Sequence, residues 1–175
     1  MDAHMPRIQP VFVILLFLCS VTAAAANPAS GEQLIGDLYR VLGCRSTSAS
    51  AFKCHAPEAD QRKAITEQNR ISLGKYFDAS LVSLLVKERQ CVTRTQEICN
   101  LDFDPLYASQ DPDAADLSIK AAAANRVIVS FRYPANGERI TIRYLLTPTR
   151  KGLRISDVIY SDNTSLRKLL MTKLP

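Results

Sequence analysis

The stretch Arg126–Leu146, RVIVSFRYPANGERITIRYLL, decides the fold. Val127, Val129, Phe131 and Tyr133 alternate with Ile128, Ser130 and Arg132. Ile140, Ile142, Tyr144 and Leu146 alternate with Thr141, Arg143 and Leu145. A period of two puts one set of side chains on one face of a strand, so each run reads as a strand with one buried face. Asn136-Gly137 lies between them, a dipeptide that favours a hairpin.

The same period continues on both sides. Leu117, Ile119 and Ala121 alternate with Ser118 and Lys120, and Leu153, Ile155 and Ile159 alternate with Arg154, Ser156 and Val158. Ala124-Asn125 and Lys151-Gly152 mark the other turns. Connections this short make neighbouring strands antiparallel, giving a four-stranded meander. After it, Asp162 or Asn163 is placed to cap a last helix, Thr164 to Met171. Asn163-Thr164-Ser165 also matches a glycosylation acceptor, but capping accounts for these residues.

Upstream, the period becomes helical. Leu34, Ile35, Leu38, Val41 and Leu42 form one stripe, predicting a helix over Glu32–Leu42, with Gly43 just past its end and Asn27–Gly31 a short leader. The Ser-, Ala- and Pro-rich segment Cys44–Asp60 reads as a loop. A second helix is expected over Asp60–Leu73, capped by Asp60 and ended by Gly74, and a third over Ala79–Arg89, capped by Asp78. The predicted fold class is α+β, with N-terminal helices packed on a curved four-stranded antiparallel sheet and a closing C-terminal helix.

The chain has 175 residues, of which 47% are hydrophobic, enough for one domain with a sizeable core. Residues 1–26 read as a cleaved signal peptide. Arg7 supplies the positive start, Val11–Leu18 a short apolar run, and Ala24-Ala25-Ala26 a small-residue cleavage site. Residues 27–175 are then a single exported, periplasmic or secreted domain. No later apolar stretch is long enough to span a bilayer. The net charge is +5 and the pI is about 9.0, which favours acidic partners or anionic surfaces without choosing between them.

Cys44, Cys54, Cys91 and Cys99 remain after the signal. An even count in an exported chain reads as disulfides. Three connectivities are open, and the short loops favour Cys44 with Cys54 and Cys91 with Cys99. Their spacing is too wide for a zinc site, and His55 is the sole histidine after residue 26.

Helices, then a meander ending in Gly152–Tyr160, then Ser165-Leu166-Arg167, resemble the nuclear transport factor two-like cone fold. Leu101-Asp102-Phe103-Asp104-Pro105-Leu106 followed by Gln110-Asp111 resembles the signature of a domain-of-unknown-function family of exported bacterial proteins. The resemblance spans about residues 32–172. It implies a cone-like fold and a bacterial envelope setting, and no reaction.

Three sets of residues carry chemistry. The stretch Asn100–Asp116 holds Asp102, Asp104, Asp111, Asp113 and Asp116. Calcium suits such oxygen-rich clusters, but Pro105 follows Asp104 and no central glycine does, so no metal is expected. Asp102 and Asp104 can instead hold turns through backbone N–H groups while Phe103, Leu106 and Tyr107 fill the core. Asp102, Asp104, Gln110 and Asp111 are the candidate contacts to a partner. On strand parity, Asp157 is expected to face the interior, with Tyr144 a possible catalytic companion in a cone pocket. Finally, Lys120, Arg132, Arg139, Arg143 and Arg154 share the opposite sheet face, with Arg132, Arg143 and Arg154 as binding candidates. No aromatic residues interleave them, which argues against nucleic acid. No nucleophilic triad, phosphate loop or cofactor motif is present.

The expected function is a non-catalytic binding or accessory module of the cell envelope, meeting a protein partner or holding a small ligand in the cone. The alternatives are a small-molecule isomerase or hydrolase using Asp157 and Tyr144, and a periplasmic inhibitor or immunity protein.

Overall fold

The computed structural model describes Met1 and residues 28–42, 45–48, 51–53, 64–110, 114–134 and 136–172. The chain runs through α1 (Pro28–Leu42), β1 (Arg45–Ser48), β2 (Ala51–Lys53), a 3-10 turn (Ile65–Glu67), α2 (Arg70–Leu73) and α3 (Ala79–Thr95). It continues through β3 (Ala115–Ala123), β4 (Arg126–Tyr133), β5 (Glu138–Thr149), β6 (Gly152–Ile159) and α4 (Leu166–Met171). The last four strands form one antiparallel sheet in chain order, as the alternation predicts. The fold is α+β.

The helices differ from expectation in instructive ways. α1 starts at Pro28, so Gly31 lies inside it and is buried, where a leader was expected. A Cβ on Gly31 would come within 2.9 Å of Leu146 Cδ1 and 3.2 Å of Val127 Cγ2. Glycine thus lets the helix lie close on the sheet, where a side chain would have to displace the Leu146 and Val127 methyls. The expected second helix is broken. Asn69, in extended conformation, turns its side chain onto Ser72 N–H at 2.8 Å and starts α2 afresh. The proposed cap, Asp60, lies outside the described residues. Asp78 caps α3 as expected, accepting from Leu81 N–H at 2.7 Å. This helix runs past Arg89 to Thr95, where left-handed Gln96 ends it.

Cys91 therefore sits on α3 and reaches Cys99 across the helix end, forming the expected disulfide with Cα atoms 6.3 Å apart. Cys44 and Cys54 lie outside the described residues. Between them, where a loop was expected, β1 and β2 form a small antiparallel hairpin. Its Ser and Ala residues are poor strand formers, so propensity gave no signal. α4 is capped by Ser165, which accepts from Lys168 N–H at 3.1 Å, and not by Asp162 or Asn163. Asp162 instead holds the preceding turn through Thr164 N–H at 2.8 Å.

The core joins Ile35, Leu38 and Tyr39 of α1 with Leu81, Val82 and Leu85 of α3 and Leu166 and Leu170 of α4. The sheet contributes Val129, Phe131, Ile142, Tyr144, Ile155 and Val158. Burying each large apolar side chain contributes about 1.5–3 kcal/mol. Each sheet edge has part of its backbone engaged. Segment 76–78 runs parallel to β6, with Asp78 N–H on Ile155 O at 2.9 Å and Ile155 N–H on Tyr76 O at 2.8 Å. On the other edge, Glu32 accepts from Ala121 N–H. Backbone groups engaged in this way are withheld from pairing with other chains.

The β4–β5 loop closes on Gly137, whose N–H meets Pro134 O at 2.6 Å. A Cβ on Gly137 would lie 2.6 Å from Tyr133 O. Gly137→Ala is expected to lower stability by about 1–3 kcal/mol, read from the chemical-denaturation midpoint.

Candidate functional site

A single irregularity in β6 decides where Asp157 points. Leu145 pairs with Asp157 and Leu146 with Ile155, leaving Ser156 as an extra residue. A bulge of this kind reverses side-chain parity beyond it. Val158 and Tyr160 turn inward and are buried, while Asp157 turns away. The sequence alternation had placed it inside. Its Oδ1 accepts from Val158 N–H at 2.8 Å and Arg167 N–H at 3.0 Å, and its Oδ2 from Ser165 Oγ at 2.7 Å. Asp157 is thus spent on the start of α4. Tyr144 pairs in register with Val158, so it sits on the opposite sheet face from Asp157. The two catalytic candidates do not meet.

Tyr144 is 0% exposed. Its hydroxyl lies 2.9 Å from that of Tyr39, which donates to Leu106 O at 2.7 Å. The Tyr160 hydroxyl donates to Pro105 O at 3.3 Å. Tyr39 packs edge-on against both Tyr107 and Tyr144, and Phe103 edge-on against Tyr160. Burial pushes the Tyr39, Tyr144 and Tyr160 hydroxyls well above their ordinary range, so they stay protonated donors. Two of them fix the carbonyls of the acidic stretch.

That stretch is a structured turn. Asp104 N–H bonds Ser109 O at 2.8 Å, and the Asp104 carboxylate accepts from Leu106 N–H at 2.8 Å. Leu106 and Tyr107 are buried, as the core-filling reading predicts. Asp104 is half-buried, whereas Asp102 and Gln110 are exposed, and Asp111 lies outside the described residues. The turn is anchored upstream by Glu88, 2% exposed on α3. Glu88 accepts from Asn100 N–H at 2.7 Å, Asn100 Nδ2 at 2.8 Å and Leu101 N–H at 3.0 Å. Sequence reasoning passed over Glu88, yet it shares the helical stripe of Leu81, Leu85 and Cys91. Among the described residues, no group of three metal-ligating side chains occurs.

The cationic candidates divide into two sets. On the outer sheet face, Lys120, Ile128 and Arg143 lie in one register row, and Arg132 stands opposite Arg139. There, Arg132 forms an ion pair with Asp116, Arg139 donates to Ser130 Oγ at 3.1 Å, and Arg143 donates to Asn163. Arg154 leaves this group. Its Nε donates to Gly74 O at 3.1 Å and its Nη1 to Leu153 O at 2.6 Å, which bends the guanidinium over the sheet edge.

At that edge, Arg154 lines a groove of about 380 Å³ with Arg70, Arg150 and Lys151. Arg150 and Lys151 are the two turn residues between β5 and β6, since Thr149 pairs with Gly152. Gly152 takes a φ of 92°, which suits glycine. Asp78 also lines the groove, but both its oxygens accept from Arg167 Nη2, at 3.2 and 3.1 Å, and Oδ1 caps α3. Among the described residues, no carboxylate forms an ion pair with Arg70, Arg150, Lys151 or Arg154. Among the described residues, the groove therefore holds four cations against one carboxylate, which is already engaged by Arg167. Arg70, Arg150 and Lys151 were not singled out as binding residues by the sequence.

Burial pushes the Asp104 carboxyl up to about 6, partly offset by the Leu106 hydrogen bond. An unfolded aspartate titrates at about 3.9, so the folded chain binds this proton more tightly. Stability from this site is therefore fully present below about pH 4 and is lost as pH rises through the folded value of about 6, a change of up to about 3 kcal/mol that levels off above it. Asp104→Asn should remove that slope in urea denaturation over a pH series. Glu88→Ala, which strands three donors, should cost about 3 kcal/mol in thermal or chemical unfolding. Compared with protein-family models, curated proteins and solved structures, the chain matches none.

Proposed function

We propose that the chain is an exported, non-catalytic binding module of the cell envelope, of the cone-like α+β kind its sequence resembles, and that it engages an anionic partner. The four cations of the groove carry this reading: Arg70, Arg150, Lys151 and Arg154 converge from α2, the β5–β6 turn and β6. Clustered charge of one sign raises the local concentration of oppositely charged partners and speeds their encounter. The Cys91–Cys99 disulfide fits an oxidising compartment. Among the described residues, no helix is long and apolar enough to cross a membrane.

The isomerase or hydrolase reading draws no support from the geometry, because Tyr144 is sealed and Asp157 serves α4 from the other face. Asp102 and Gln110, exposed beside the anchored turn, remain proposed secondary contacts.

Residues 27–175, immobilised, should retain an anionic component from envelope extract at low salt and release it as screening increases. Arg150→Glu with Lys151→Glu should abolish retention while circular dichroism and melting stay unchanged. Equal retention by that folded variant would overturn the reading.

A further inference from the structure

The groove can be read more specifically than as a patch of positive charge. Its four cations come from two parts of the chain, α2 and the β5–β6 hairpin, and Arg70 also donates to Ser83 Oγ at 3.5 Å. Arg70 stands on α2, Arg150 and Lys151 on the β5–β6 turn, and Arg154 on β6. A planar carboxylate offers two oxygens in one plane. A phosphate group offers three or four oxygens in tetrahedral array and up to two charges, so it can meet donors from several sides at once.

Arg154 is oriented for such a role. Two of its N–H groups are fixed on Gly74 O and Leu153 O. A guanidinium has five N–H donors, so the fork is held in place while other donors remain for a ligand. Ala79, the first residue of α3, also lines the groove, and the start of a helix adds partial positive charge. The carboxylate nearest that helix start, Asp78, is engaged by Arg167 and Leu81. It does not neutralise the four cations.

We infer that this groove binds phosphate groups, with Arg154 as the oriented fork and Arg70, Arg150 and Lys151 as converging cations. The inference rests on the reading of the chain as an anion-binding module and names the chemistry of its ligand. The phosphate can belong to a lipid headgroup or to a soluble phosphorylated compound, and the test separates these sources.

Residues 27–175 are titrated calorimetrically with inorganic triphosphate and, separately, with polyglutamate of matched charge. Co-sedimentation follows with vesicles of phosphatidylglycerol or phosphatidylcholine. Saturable triphosphate binding, weakened about tenfold or more by Arg150→Ser with Lys151→Ser in a folded protein, is the expected result. It would identify a soluble phosphate ligand. Sedimentation with phosphatidylglycerol vesicles alone, lost in the same variant, also supports the inference and identifies a headgroup. Polyglutamate binding as tight as triphosphate overturns the phosphate assignment but leaves the anion-binding reading intact. Retention of an envelope component, without binding to triphosphate or phosphatidylglycerol, has the same consequence. Absence of binding in every arm, with no retention from extract, overturns both.

Discussion

The extra residue at Ser156 governs much of the arrangement around it. Because β6 bulges there, the Ser156 carbonyl accepts from Arg167 Nε at 3.0 Å and also from Nη2. The same guanidinium reaches Asp78, the cap of α3, and donates to Ser80 Oγ at 2.6 Å. One side chain on α4 thereby ties the irregular strand to the start of α3. Asp157 completes the joint by accepting from Arg167 N–H in the first turn of α4. With regular pairing, Asp157 would face the apolar core and Val158 would face out. A carboxylate buried without partners is costly, and the loss of Val158 burial would add to that cost.

The bulge also turns Tyr160 inward, where it meets Phe103 and Pro105. The interior is consequently rich in hydroxyls yet chemically quiet. Each of Tyr39, Tyr144 and Tyr160 has a hydrogen-bonding partner, and desolvation opposes their ionisation. Their work is positional: they hold the acidic turn against α1 and the sheet. Asp104 is the exception, a carboxyl pushed into this environment by the turn it stabilises. Among the described residues, Arg70, Arg150, Lys151 and Arg154 line the groove outside with no ion-paired carboxylate.

The sheet was legible because alternation over four strands leaves little freedom in register. Core residues such as Val129, Phe131, Ile142 and Ile155 follow from it directly. The bulge was not, because Leu153, Ile155 and Ile159 keep one parity across Asp157, and a lone carboxylate at that position reads equally well as an acid in a pocket. Gly31 was misread for a related reason: its value lies in the proximity of Leu146, more than a hundred residues away. Of the groove, only Arg154 was legible, and as part of the wrong surface. Arg70 joins it only after segment 76–78 docks along β6. Glu88 could have been found, since a carboxylate on an apolar helical stripe calls for a nearby set of donors.

The tight β5–β6 turn has a bearing on resistance to proteolysis. Arg150-Lys151 is a dibasic pair at an exposed loop tip, the sort of place where chains are commonly nicked. A trypsin-like enzyme, however, must draw several residues on either side of the scissile bond into an extended conformation. Here those residues are strand backbone, paired from Arg143–Ile159 down to Thr149–Gly152, and Thr149 Oγ1 further clasps Lys151 N–H at 3.1 Å. Cleavage therefore has to await fraying of the hairpin. The exposed side chains remain available for recognition while the peptide bond between them is withheld.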